Sequence, residues 1–114
     1  ARCPGVTELP GWKITCREAE DLQNSQDTFT VKPEGKMVLR SRQSGDMIRL
    51  TGGSKSLKKL YIDRKIPAAQ RDSIPVIADE AGILGVYGIG VHQDRRAESL
   101  PAITIHIEKR NKGE

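Results

Sequence analysis

Aromatic residues are scarce in this chain: one Trp, one Phe and two Tyr make up 4% of its 114 residues. A core short of rings must be filled by Ile, Val and Leu, which favours strands over helices. Trp12, Phe29, Tyr61 and Tyr87 are also scattered, so they form no row of platforms for single-stranded bases. Long apolar runs are missing. No stretch approaches the ~20 apolar residues of a membrane span, and no apolar h-region follows Ala1-Arg2-Cys3-Pro4, so no secretory signal is read there. The chain does not begin with Met, so an excised fragment or a processed chain is expected. Cysteine is limited to Cys3 and Cys16. A secreted disulfide scaffold of this size usually has more, so two thiols in a reducing, cytoplasmic compartment is the simplest reading. A Cys3–Cys16 disulfide stays open. A zinc site shared with His92 and His106 lacks any CxxC or HxxxH spacing.

Catalytic signatures are absent as well. There is no Gly-x-Ser-x-Gly elbow and no His-Glu-x-x-His pair. His92 and His106 stand singly, on a turn and on an outward strand position. Asp79, Glu80 and Asp94 fall in turns, where acids are common. No catalytic, metal or cofactor residue is assigned.

What the chain does have is local charge. Residues 40–72 hold nine Lys or Arg and three acids, whereas the stretches on either side are each net −1. The formal charge of +4 is therefore one basic patch. Arg40, Arg42, Lys55, Lys58, Lys59, Lys65 and Arg71 come from a strand, a glycine turn and two helical turns. Brought together, they suit nucleic-acid phosphates. An ordinary solvated helix is the competing reading. With few aromatics, a reader of duplex RNA backbone and shape fits better than a reader of splayed bases.

The length suits one domain with one core. Trp12 to Arg17 alternates as a half-buried strand, followed by a polar loop to Asp27. Thr28 to Lys32 is a second strand, stopped by Pro33. Stretches 36–42 and 47–50 flank Gln43-Ser44-Gly45-Asp46 and predict a hairpin. Ser54 or Ser56 can cap a helix running to Arg64, with Leu57, Leu60 and Tyr61 on its apolar stripe. Pro67 can open a short second helical turn, ended by Pro75. Strands 76–78 and 83–87 surround a turn at 79–82. Gly85, Gly88 and Gly90 suggest a bulge or the close approach of another backbone. Residues 102–108 alternate cleanly, and 109–114 are expected to fray. Strands, one helical interruption, then strands again argue an α+β fold.

Thr51-Gly52-Gly53-Ser54-Lys55-Ser56 imitates a nucleotide loop, following a strand and opening a helix. It resembles the Ser-Gly-Gly-x-Asp-Ser loop of ATP pyrophosphatases, but Lys55 stands where the aspartate belongs and reverses its charge. It lacks the Gly-Lys-Ser/Thr ending of a Walker A loop, and no series of βαβ units surrounds it. A structural turn or an RNA-phosphate contact are the readings left beside a small phosphate-binding enzyme.

Arg40-Ser41-Arg42-Gln43-Ser44-Gly45-Asp46, Lys58-Lys59-Leu60-Tyr61-Ile62-Asp63-Arg64-Lys65-Ile66-Pro67, Arg71, Ile74-Pro75-Val76-Ile77 and Gly82-Ile83-Leu84-Gly85-Val86-Tyr87-Gly88 together resemble the C-terminal domain of tRNA(Ile)-lysidine synthetase. Residues 36–108 form the family-like core, and 1–35 are N-terminal strands or an extension. The resemblance implies layered mixed and antiparallel sheets with one or two short helices, as in a domain of the phenylalanyl-tRNA synthetase β subunit. It implies a parent ligase that joins lysine to the first-anticodon-position cytidine of an isoleucine tRNA, with ATP and lysine as co-substrates of an N-terminal catalytic domain. This chain would be the non-catalytic part that holds the acceptor-stem side of the tRNA. Arg42, Lys55, Lys58, Lys59, Lys65 and Arg71 carry over as RNA-contact candidates, with Arg95 and Arg96 beside them. Gly45 and Asp46 carry over as turn formers, and Leu57, Leu60 and Ile62 as packing residues. Met47 and Ala68 depart from the family pattern, which commonly has a basic residue at the first and a basic residue or proline at the second. A module that only packs on its parent enzyme is the remaining alternative.

Overall fold

A computed structural model describes residues 12–109 and the backbone of Val6 and Thr7. In chain order the elements are β1 (Val6–Thr7), β2 (Trp12–Glu18), β3 (Thr28–Val31), β4 (Val38–Arg40), β5 (Met47–Leu50) and β6 (Gly53–Ser56). Then come α1 (Leu57–Asp63), α2 (Ala68–Arg71), β7 (Val76–Asp79), β8 (Gly82–Val86), β9 (Gly90–Val91) and β10 (Ile103–Lys109). The central sheet has the order β1-β4-β7-β8-β9, a second has β2-β10-β3, and β5-β6 is a separate hairpin. Among the described residues every pairing is antiparallel except β1 with β4. This is the α+β arrangement of layered sheets with two short helices expected from the sequence. Cys3 and residues 110–114 lie outside the described residues; Cys16 is half-buried on β2.

Two apolar clusters flank the central sheet, because alternate side chains of a strand point to opposite faces. Ile77 and Leu84 pack with Phe29, Val31, Leu39, Ile105 and Ile107 under the three-stranded sheet. Val76, Ile83 and Val86 pack on the other face with Ile48, Leu57, Leu60 and Tyr61. The hairpin and α1 therefore form a layer of their own.

The expected hairpin between 36–42 and 47–50 does not form. β4 pairs instead with β7, Arg40 opposite Val76, while β5 pairs with β6. The reason lies in which core each strand serves: Leu39 belongs to the first cluster and Ile48 to the second. Residues 43–46 carry the chain from one layer to the other. Asp46 fixes that crossing. Its carboxylate accepts from Arg40 Nη1 at 2.8 Å and Nη2 at 3.2 Å, and from the Gln43 N–H at 2.7 Å. Its own N–H donates to the Gln43 carbonyl at 3.1 Å. Everything from Ser41 to Pro75 is thus an excursion between two adjacent strands of the central sheet.

β8 contains the bulge that its glycines suggested. Ile77 opposes Gly85 but Ala78 opposes Ile83, so Leu84 is the extra residue. A Cβ on Gly85 would lie 2.8 Å from ring carbons of Phe29. The close neighbour is a ring of the next layer, where another backbone was an expected alternative.

Candidate nucleic-acid interface

The glycine segment proves to be a hairpin turn. Leu50 opposes Gly53, leaving Thr51 and Gly52 as a two-residue loop, and Gly53 has φ of 120°, which favours glycine. Residues Gly53–Ser56 are then committed to the pairing with β5. The helix begins only afterwards, with Ser56 as its cap and its Oγ accepting from the Lys59 N–H at 3.1 Å. The loop does not open a helix, so the geometric basis of the nucleotide-loop reading is gone.

α1 buries Leu57, Leu60 and Tyr61, and that sets the direction of its other side chains. Lys58 and Lys59 are exposed. Ile62, expected to pack, is also outside, with 49% of its surface exposed. It falls one residue past the buried stripe, about 100° round the helix. Lys65 is exposed and left-handed, with φ of 56°, and its N–H closes the helix on the Ile62 carbonyl at 3.0 Å. Lys55 is exposed on β6. Among the described residues none of Lys55, Lys58, Lys59 and Lys65 has a carboxylate within ion-pair distance.

The arginines of the same layer are tied down. Arg40 is bound to Asp46 and Arg49 to Asp94. Arg64 Nη1 donates to the Gly88 carbonyl at 3.0 Å, and Arg71 Nε to the Ile66 carbonyl at 2.9 Å. Arg42 is half-buried, its guanidinium carbon 5.9 Å from the centre of the Tyr61 ring, a cation–π contact. Burial pushes the Tyr61 hydroxyl up to about 12 against the pull of Arg42.

Arg95 is bound at the β7–β8 turn. Its guanidinium binds Asp79, whose side chain is fully buried. Asp79 also accepts from the N–H groups of Glu34 at 2.7 Å and Ala81 at 2.9 Å. Burial alone would raise the Asp79 pKa; the Arg95 hydrogen bond and these amides outweigh it and hold the carboxyl below its ordinary value. Arg96 is exposed and lines a cleft with Glu34, Asp94 and Glu98, so its surroundings are of mixed sign. The expected set therefore divides into one group around α1 and a separate pair at 95–96.

The TilS substrate C-terminal domain model matches residues 37–107. The chain belongs to the TilS substrate C-terminal domain family. It is 48% identical over 107 residues to a tRNA(Ile)-lysidine synthase of Clostridioides difficile (strain 630), covering 91% of this chain and 23% of that protein. It is 28% identical over 120 residues to a tRNA(Ile)-lysidine synthase of Caldanaerobacter subterraneus subsp. tengcongensis, covering 94% of this chain and 25% of that one. The chain thus spans about a quarter of the length of these curated relatives. A crystal structure of a TILS C-terminal domain superposes with a TM-score of 0.78 at 28% identity, covering 96% of this chain and 93% of the other.

Within this TilS C-terminal domain, three acids do more than sequence reasoning assigns to them. Asp79 reads as a turn acid; it does bind turn amides, but it also anchors Arg95 across 16 positions and Glu34 across 45. Asp46 reads as a turn former, which says nothing of its grip on Arg40. Asp72 has no distinguishing pattern in the sequence, yet it borders one cleft with Arg42 and Lys58. Those last three come together at the cleft beside the 43–46 turn, and no local sequence pattern announces that meeting. Among the described residues no group of three or more His, Cys, Asp or Glu side chains could hold a metal ion, and no helix is long and apolar enough to cross a membrane.

Proposed function

We propose that this domain is the non-catalytic tRNA-holding part of a tRNA(Ile)-lysidine synthase. Its parent would join lysine to the first-anticodon-position cytidine of an isoleucine tRNA, with ATP and lysine bound in a separate N-terminal catalytic domain. The observation that carries the reading is the set of exposed lysines, Lys55, Lys58, Lys59 and Lys65, on one layer, none of which forms an ion pair among the described residues. A cation with no internal partner costs the fold little to keep in water and remains available to a phosphate. Arg42 shares a cleft with Lys58 and joins this surface, and Arg71, a candidate in the same layer, is held by the Ile66 carbonyl. Arg95 does not join it, because releasing it would strand the buried Asp79 carboxylate.

The mechanism is positional. Neutralising stem phosphates fixes the orientation of the tRNA without reading its sequence. Holding one end of a rigid substrate lowers the entropic part of the barrier at the other. Replacing Lys58 and Lys59 by Ala in the intact protein is expected to weaken tRNA binding about tenfold and to reduce the slope of log K against log salt by about two. The thermal midpoint should stay put. Unchanged affinity and slope would remove this face from the site.

A further inference from the structure

A cleft of about 310 Å³ lies beside the 43–46 turn and is bordered by Arg42, Ser44, Asp46, Ser56, Lys58 and Asp72. Its ionic groups do not satisfy one another. Arg42 is held against Tyr61, yet its buried Nε has no hydrogen-bond partner among the described residues. Lys58 and Asp72 both border the cleft, and among the described residues neither forms an ion pair. Asp46 is already committed to Arg40 and the Gln43 amide.

Asp72 is the odd member. A carboxylate beside two phosphate-binding cations repels phosphate, so on a pure phosphate surface it is a disadvantage. It becomes useful if the ligand also donates a hydrogen bond. A ribonucleotide has both features: phosphate oxygens that accept from a guanidinium and an ammonium, and a 2′-hydroxyl that donates to a carboxylate. Carboxylates read ribose hydroxyls in this way in dinucleotide sites, and the 2′-hydroxyl is what separates RNA from DNA for a protein. The stacked guanidinium of Arg42 is pre-oriented, which lowers the cost of engaging a phosphate.

We infer that this cleft seats one ribonucleotide of the bound RNA, Arg42 and Lys58 on its phosphate and Asp72 on its 2′-hydroxyl. The inference rests on the RNA-holding reading above and adds a sugar check to it. The test uses the intact protein and two RNA minihelices of one sequence, one natural and one 2′-fluoro, which keeps the A-form pucker but has no hydroxyl donor. The natural probe should bind about tenfold more tightly, as for a hydrogen bond to a charged group. Asp72→Ala should tighten the 2′-fluoro probe, since repulsion is relieved, and bring the ratio close to one. Asp72→Asn, which keeps an acceptor without the charge, should fall between. Equal tightening of both probes, with the ratio unchanged, would make Asp72 a solvated acid and overturn the inference. Saturation of the cleft by free AMP in competition with the minihelix would overturn its assignment to RNA. If neither probe bound with a salt dependence, the RNA-holding reading itself would fail, a result distinct from these.

Discussion

The two faces of the central sheet are packed alike and charged differently. Both are covered by aliphatic clusters anchored on alternate residues of β7 and β8. On one side lies a three-stranded sheet; on the other lies the excursion from Ser41 to Pro75, which holds nearly all of the basic patch of residues 40–72. Within that layer and at its entry the arginines mostly serve the fold and the lysines mostly do not. Arg40, Arg49, Arg64 and Arg71 each bind a carboxylate or a carbonyl. The four exposed lysines form no ion pair among the described residues. This division fits the chemistry of the two side chains: a planar fork of five donors suits fixed acceptors, and a hydrated ammonium suits a mobile, shared phosphate.

If that division is right, removing a built-in arginine should cost stability, and removing a lysine should cost RNA affinity alone. The largest effect is expected at Arg95. Arg95→Ala leaves the buried Asp79 carboxylate with only the backbone N–H groups of Glu34, Ala81 and Gly82 and should cost about 3 kcal/mol, read from urea unfolding. A loss of tRNA affinity at full stability would move Arg95 into the interface and break the division. The same pair sets an acid limb. Asp79 titrates below its ordinary value when folded, so the unfolded chain binds more protons in that range. Its stabilisation is present above the ordinary carboxylate pKa, about pH 4, and is lost as the pH falls through the depressed value. The urea midpoint should drop on that limb in the parent chain and drop less in Arg95→Ala.

Gly85→Ala should follow in size. The added methyl meets the Phe29 ring at 2.8 Å, and overpacking of this kind costs about 1–3 kcal/mol. It perturbs the three-stranded side, so the lysine face should keep its RNA affinity once the chain is folded. The smallest change is expected from Tyr61→Phe. The buried Tyr61 hydroxyl has no partner among the described residues, so its removal should be neutral or stabilising by up to about 1 kcal/mol. The ring contact to Arg42 would remain. A clear loss of stability would reveal a partner for that hydroxyl.

Much of the fold is legible in the sequence. Alternation locates β2 and β10, Pro33 bounds β3, and the Ser cap with Leu57, Leu60 and Tyr61 locates α1 almost to the residue. The basic patch is visible as a change in composition. Pairing is what the sequence hides. The 43–46 turn looks like a hairpin because its residues are good turn formers, but turn chemistry does not say which core each flanking strand will enter. Leu39 and Ile48 decide that, and they do so only when both layers exist. The same limit hides Asp72, whose neighbours are set by the crossing between layers. Gly52 and Gly53 announce a turn, but the four-residue strand that joins it to the helix overlaps the helix cap at Ser56 and has no alternation of its own.

The most direct measurement is the slope of log K against log salt for tRNA binding by the intact protein, with and without replacement of Lys55, Lys58, Lys59 and Lys65 by Ala. The slope should fall by about four, roughly one unit for each lysine removed, with the thermal midpoint held. An unchanged slope in a folded variant would contradict the assignment of this lysine face to RNA.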